Sequence, residues 1–272
     1  MNLRRSKFLT IILLLFLQTS CQKKIEFPAS LMEMNNPEYL IKNSGPWKVN
    51  KQDHIIVYYS PTLDSGIDSL VALHKSHVDN IINIIGMSSA KLDSMPKINV
   101  WIFANDEEKY KKTQLHGIHA IGDYGSVYYP AEHSKSAHEY GHILASYNWG
   151  WMWNKEFSSV IDEAFAYYVD EGRGFDFSYI ERTKDILSND SYSISNILAG
   201  KKPFDLFANI GQKQEIACAT FIKYMIEKYG VNKFGQLWRE LNKNGRDAFK
   251  NTYGKTLEEL ESEFYSYLGI KI

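Results

Sequence analysis

The sequence predicts an α+β fold in which a small mixed sheet with an edge strand is followed by a mainly helical part. Three observations predict it. Runs of β-branched and aromatic residues occur only early, in "HIIVYYS" (54–60), "KINVWIFA" (97–104) and "GDYGSVYYP" (122–130). From residue 131 onward the apolar residues recur at helical spacing instead. At the junction, "SAHEYGHIL" (136–144) carries two histidines four residues apart with a glutamate directly behind the first.

With 272 residues, 44% of them hydrophobic, the chain is long enough to bury a substantial core as one large domain or two intimately packed subdomains, and the composition argues against disorder. A formal net charge of -1 gives no electrostatic reason to expect nucleic acid as a partner.

The first segment, "MNLRRSKFLTIILLLFLQTSCQKK", joins Arg4, Arg5 and Lys7 to an apolar run from Phe8 to Leu17, then small polar residues and Cys21. The run is too short to span a bilayer and suits the core of an export signal, residues 1–21. It resembles a bacterial lipoprotein signal, which implies that Cys21 is lipidated and the mature protein membrane-anchored, on the periplasmic or cell-surface side; the alternative is an ordinary signal peptide cut nearby, leaving Cys21 as a free thiol. Gln22 after the cysteine resembles signals sorted to the outer membrane. Cys218 is then the one cysteine left, so no disulfide within the mature chain is expected. It lies in the apolar run "EIACATFIKYMIEKYG" (215–230) and reads as a small buried hydrophobe.

Residues 22–50, with Pro28, Pro37, Gly45 and Pro46 among polar residues, read as a tether and irregular lead-in. The domain proper spans 51–272, divided into a strand-containing part (51–130) and a helical part (131–272). After the first strand, apolar residues at 67, 70, 71, 78, 81, 82 and 85, with His74 in the same stripe, predict an amphipathic helix. A second strand, the charged helix "NDEEKYKKTQL" and a third strand, read as the sheet edge and stopped by Pro130, complete the first part. The second part begins with a helix over "AEHSKSAHEYGHILASYN" and another over "FSSVIDEAFAYYVDEG" ended by Gly172. Further helices are expected near 176–188, 212–229, 231–242 and 256–268, the last opened by Thr256 and Glu259 at capping-box spacing.

Positions i and i+4 share one helix face, so His138 and His142 can hold one metal ion. Glu139 sits about 100° round the axis from His138, beside such an ion, where it can act as a base toward a bound water. A third donor, Glu163, comes 21 positions after His142 in the apolar stretch "VIDEAFAYY", where a carboxylate is costly to bury without a cation.

H-E-x-x-H followed by this second helix resembles the gluzincin metallopeptidases, whose downstream motif is N-E-G-x-A or similar. Here Asp162 and Ala164 stand where that motif has Asn and Gly, Ala166 and Tyr168 fit its longer form, and Asp170 falls where aminopeptidase-type members often carry an acid. The resemblance covers about residues 54–268. It implies a zincin-type helical catalytic subdomain with Zn2+ held by His138, His142 and Glu163, Glu139 as general base, and a peptide or protein substrate. It further implies that an extended peptide pairs with the edge strand around Ser126 to Tyr129. No G-x-M-E-N motif is present, which departs from the aminopeptidases. Neither substrate contacts nor an oxyanion-stabilising residue are assigned. The alternative is a binding or adhesion lipoprotein that keeps the fold without turnover, although such a module has no need of Glu139. A purely structural zinc is disfavoured by three donors rather than four.

His74 with His77, and His116 with His119, lack a third ligand at a recognised spacing and read as ordinary helix or loop histidines. The second of these pairs lies close to the expected edge strand and so borders the expected cleft. His133 lies about 140° from His138 round the helix, off the metal-facing side. Trp149, Trp151 and Trp153 read as aromatics that pin the loop between the two motif helices, in preference to a substrate wall.

Overall fold

The computed structural model describes residues 29–63, 65–122, 125–152, 158–170, 177–189, 193–198 and 209–270. The expected signal, with Cys21, and Trp153 and Gly172 lie outside these. No helix among the described residues is long and apolar enough to cross a membrane.

The architecture is α+β: a five-stranded mixed sheet, β1 (Lys48–Lys51), β2 (Ile55–Tyr59), β3 (Ile98–Phe103), β4 (His119–Ile121) and β5 (Ser126–Pro130), in the order β1-β2-β3-β5-β4. β2, β3 and β5 run parallel, and β1 and β4 close the two sides antiparallel. Parallel neighbours need crossovers. β2 reaches β3 through α3 (Ile67–Ile85) and α4 (Ser89–Ser94), and β3 reaches β5 through α5 (Asp106–Thr113) and β4.

Apart from the half-buried Asn99, the run "INVWIF" in β3 is apolar because the strand is buried on both faces. Ile98, Val100 and Ile102 point to the main core with Ile55, Val57, Val127 and Tyr129, against Val71, Val78, Ile81 and Ile85 of α3. Trp101 and Phe103 point to a second core with Tyr128, Ile121 and Leu40.

That second core overturns the lead-in reading for residues 29–50. They form α1 (Ala29–Met34), α2 (Pro37–Asn43) and β1, and they cover the outer face of the sheet. Pro37 opens α2 instead of breaking structure, since the first helical position needs no N–H, and the Asn36 side chain caps the helix by accepting from Glu38 N. Trp47 meets Trp101 and Phe103 edge-on, with ring centroids 5.1 and 5.3 Å away. Leu40 and Trp47 are thus parts of the fold.

A second correction concerns the edge. β5 is paired to β3 along its length and to β4 over Ser126–Tyr128, so it is an inner strand and not the edge to which a peptide would add. The edge on that side is β4, whose three residues are too few to display alternation in sequence.

The helical part follows as α6 (His138–Trp149), α7 (Ser158–Val169), α8 (Phe177–Asn189), α9 (Ile194–Leu198), α10 (Asn209–Tyr229), α11 (Val231–Asn244), α12 (Asp247–Tyr253) and α13 (Leu257–Leu268). The capping box at Thr256 and Glu259 is formed, with both reciprocal bonds present. Residues 131–137 are not part of the helix expected to start at Ala131. A 3-10 turn (Ala131–His133) and a short bend intervene, held by bonds described below. Trp149 anchors the far end of α6 among Phe165, Phe234 and Trp238, with ring centroids 5.2 to 5.5 Å away. Trp151 is 39% exposed, its ring against the backbone of Gly122.

Candidate metal centre

α6 and α7 pack against each other, and their contact sets the site. Gly141, inside the histidine motif, faces Ala166 of α7 so closely that an added Cβ would lie 2.9 Å from Ala166 Cα and 2.8 Å from Val169 Cγ2. Only a residue without a side chain permits this approach. It brings Glu163, nearly one turn before Ala166, to the two histidines.

Donor atoms of His138, His142 and Glu163 lie within 4.8 Å of one another. His138 Nε2 is 3.2 Å from His142 Nε2 and 3.1 Å from Glu163 Oε2, and His142 Nε2 is 3.7 Å from Glu163 Oε1. Two nitrogens bound to one tetrahedral ion at ordinary zinc distances are about 3.3 Å apart, so the spacing fits such an ion. Glu163 is 6% exposed, and its Oε1 is a buried oxygen with no hydrogen-bond donor. A carboxylate oxygen in that condition is costly unless a cation meets it.

The electrostatics point the same way. Burial, aided by the nearby charge of Glu215, pushes the Glu163 carboxyl well above the usual carboxylate range. Burial opposes charging His142, but Asp162, followed by Glu139 and Glu215, outweighs it and raises the imidazole to about 9. The Glu163 shift reports burial first, and that of His142 the surrounding carboxylates, a local excess of negative charge that favours added positive charge. Asp162 Oδ1 lies 2.9 Å from His142 Nδ1, an ion-pair distance, while Nε2 of the same ring is on the Glu163 side.

On the open side is a cavity of about 350 Å3 lined by Ile118, His133, Ser136, His138, Glu139 and Tyr167. Glu139 therefore faces the same space as His138. Tyr167 sets its ring edge-on to His138, centroids 4.9 Å apart. Sequence reasoning missed Ile118, His133, Ser136 and Tyr167 as cavity residues. His133 stands outside the donor cluster, in keeping with its reading as no ligand, but the 3-10 turn that replaces the expected helix there places it in the cavity wall.

The remaining histidines stand apart from the cluster. His74 Nδ1 bonds the Tyr140 hydroxyl at 2.9 Å and His77 Nε2 donates to the Lys135 carbonyl at 3.1 Å, so both are bonded core residues. His116 pairs with Asp106 at 2.5 Å and stacks on Tyr110, while His119 is buried against Tyr128 on the outer face. Neither of these borders the cavity, correcting that expectation; Ile118 does. Cys218 is buried, and burial pushes its thiol up, out of nucleophilic range.

No family model matches the sequence. No curated protein matches it significantly.

Proposed function

We propose that the protein is a zinc-dependent metallopeptidase of the gluzincin type. The observation that carries this is the convergence of two imidazole nitrogens and a buried carboxylate, with one of those donors, His138, lining a cavity that Glu139 also lines. Zn2+ bound by His138, His142 and Glu163 would supply Lewis acidity, polarising the scissile carbonyl and lowering the pKa of water. Glu139 accepts the proton of the attacking water and returns it to the leaving amine nitrogen. Asp162, 2.9 Å from His142 Nδ1, would hold its negative charge behind that ring while Nε2 is turned toward the ion. A substrate in extended conformation pairs with β4, the edge strand that Ile118 immediately precedes, so its backbone passes the cavity mouth. Cys21, if lipidated, holds the protein at a membrane; mass spectrometry of the mature N-terminus tests that separately.

The test is cleavage of a diverse peptide library by the zinc-loaded, detergent-solubilised chain beside Glu139→Gln. The reading expects fragments from the parent, turnover reduced by at least about 100-fold in the variant, and one equivalent of zinc in both. Zinc in both proteins with cleavage by neither would reject the peptidase in favour of a binding module.

A further inference from the structure

Most helices that begin in a crowded place are capped by a side chain at the first non-helical residue. α6 is an exception, because its N-cap is Ala137, which has nothing to offer. The bond is supplied from 33 residues away. Asp170, directly after α7 and 1% exposed, accepts from Ala137 N at 2.7 Å through Oδ1 and from the Ser136 hydroxyl at 2.8 Å through Oδ2. The Ser136 oxygen in turn accepts from His138 N at 3.3 Å. One carboxylate therefore reaches the backbone of the first metal-binding candidate through a single hydroxyl.

The same bend is held from two other elements. Tyr129 of β5 donates to the Ser136 carbonyl at 2.9 Å, and His77 of α3 donates to that of Lys135. These fix the bend to the sheet and to α3. Asp170 differs because it belongs to the chain segment that carries Glu163. Glu163 and Asp170 are seven residues apart, about 10 Å along a helix. At one end of that span α7 presents Glu163 to His138 and His142, and at the other it fastens the start of α6.

We propose that Asp170 is a positioning residue for the metal centre: by capping α6 from the end of α7, it fixes His138 and Glu139 relative to Glu163. The proposal rests on the metal-centre reading above. A carboxylate at a helix N-terminus also stabilises the helix by a modest amount, so loss of stability alone does not distinguish positioning from ordinary capping. The distinguishing property is the geometry of the three donors.

The experiment uses the full chain in detergent, as parent, Asp170→Ala, Asp170→Asn and Ser136→Ala. Each is titrated with zinc against a chromophoric chelator, and each is loaded with Co2+ for its visible spectrum, with circular dichroism and thermal melting alongside. Asp170→Ala is expected to lose roughly 10- to 100-fold in zinc affinity, the scale of losing an outer-shell partner, with an altered Co2+ spectrum. Asp170→Asn keeps an acceptor for Ala137 N and is expected to recover the parent spectrum and most of the affinity. Ser136→Ala removes the hydroxyl that links Asp170 Oδ2 to His138 N but keeps the Asp170 bond to Ala137 N, so it carries the test if Asp170→Ala does not fold; a changed spectrum is expected, with a melting temperature lowered by only a few degrees. Parent-like affinity and spectra in the folded variants, with only the melting temperature lowered, would overturn the positioning role and leave the metal centre standing. A parent that takes up neither zinc nor Co2+ would overturn both.

Discussion

Gly141→Ala tests the packing on which the whole site depends. The new methyl carbon would stand 2.9 Å from Ala166 Cα, 3.3 Å from Ala166 Cβ and 2.8 Å from Val169 Cγ2. Carbon contacts are comfortable at roughly 3.5 to 4.0 Å, so α6 and α7 must separate by about 0.5 to 1 Å. Val169 can turn its side chain, but Ala166 Cα is backbone and cannot. Overpacking of this kind costs about 1–3 kcal/mol. Against it, alanine gains about 0.8–1.0 kcal/mol over glycine in a helix interior. The net is a destabilisation of about 0–2 kcal/mol, a modest change because the two effects oppose. Metal binding has no such offset. Ala166 is nearly one turn from Glu163, so the carboxylate moves with it, and ligand distances tolerate only about 0.2 Å. Zinc affinity is expected to fall roughly 10- to 100-fold, comparable to removing an outer-shell partner. Urea denaturation measures the first quantity and chelator competition the second. A variant about 1 kcal/mol more stable than the parent, with the parent's zinc affinity, would refute the close approach of the helices.

Zinc at a hundredfold excess over its dissociation constant adds about 2.7 kcal/mol, so the melting temperature is expected to rise by roughly 5–10 °C, reversibly on adding chelator. No shift in the parent would count against the site. Lys109 is fully buried and its ammonium donates to the Leu115 carbonyl at 2.8 Å. Burial, only partly countered by Asp106 and Glu139, lowers it to about 7. Below pH 7 the folded state carries the cost of a buried charge; as pH rises toward the unfolded value near ~10.4, the folded lysine is neutral and that cost is relieved. The parent should therefore gain stability between pH 7 and 9.5 relative to Lys109→Met, by up to about 3 kcal/mol. Parallel stability profiles for the two proteins would show that Lys109 keeps its charge on burial.

Much of the fold was legible because local patterning and burial agree. α3 keeps its apolar residues at helical spacing, and its observed span, Ile67–Ile85, falls within the predicted stretch. β3 announced itself by a run that is apolar but for Asn99, because both its faces are covered. The lead-in failed for a related reason. Proline and glycine mark boundaries without saying whether the residues between them are packed, and Leu40 and Trp47 acquire their role only from a sheet formed by residues much later in the chain. β4 failed because three residues carry no periodicity and its existence depends on pairing with β5.

The candidate site divides along the same line. His138, Glu139 and His142 are neighbours in sequence, and the helical repeat alone places the two histidines on one face. Glu163 could be selected from sequence because a carboxylate in an apolar helix demands a partner. Its arrival beside the histidines was a matter of interhelical distance, set by Gly141 against Ala166. Which residues line the cavity, which strand is the edge, and that Asp170 caps a helix 33 residues earlier were decided only in three dimensions. The physical reason is range. Periodicity, capping and the cost of burying charge act over a few residues and leave marks in the sequence. Close packing and long-range hydrogen bonds join segments that carry no local record of each other.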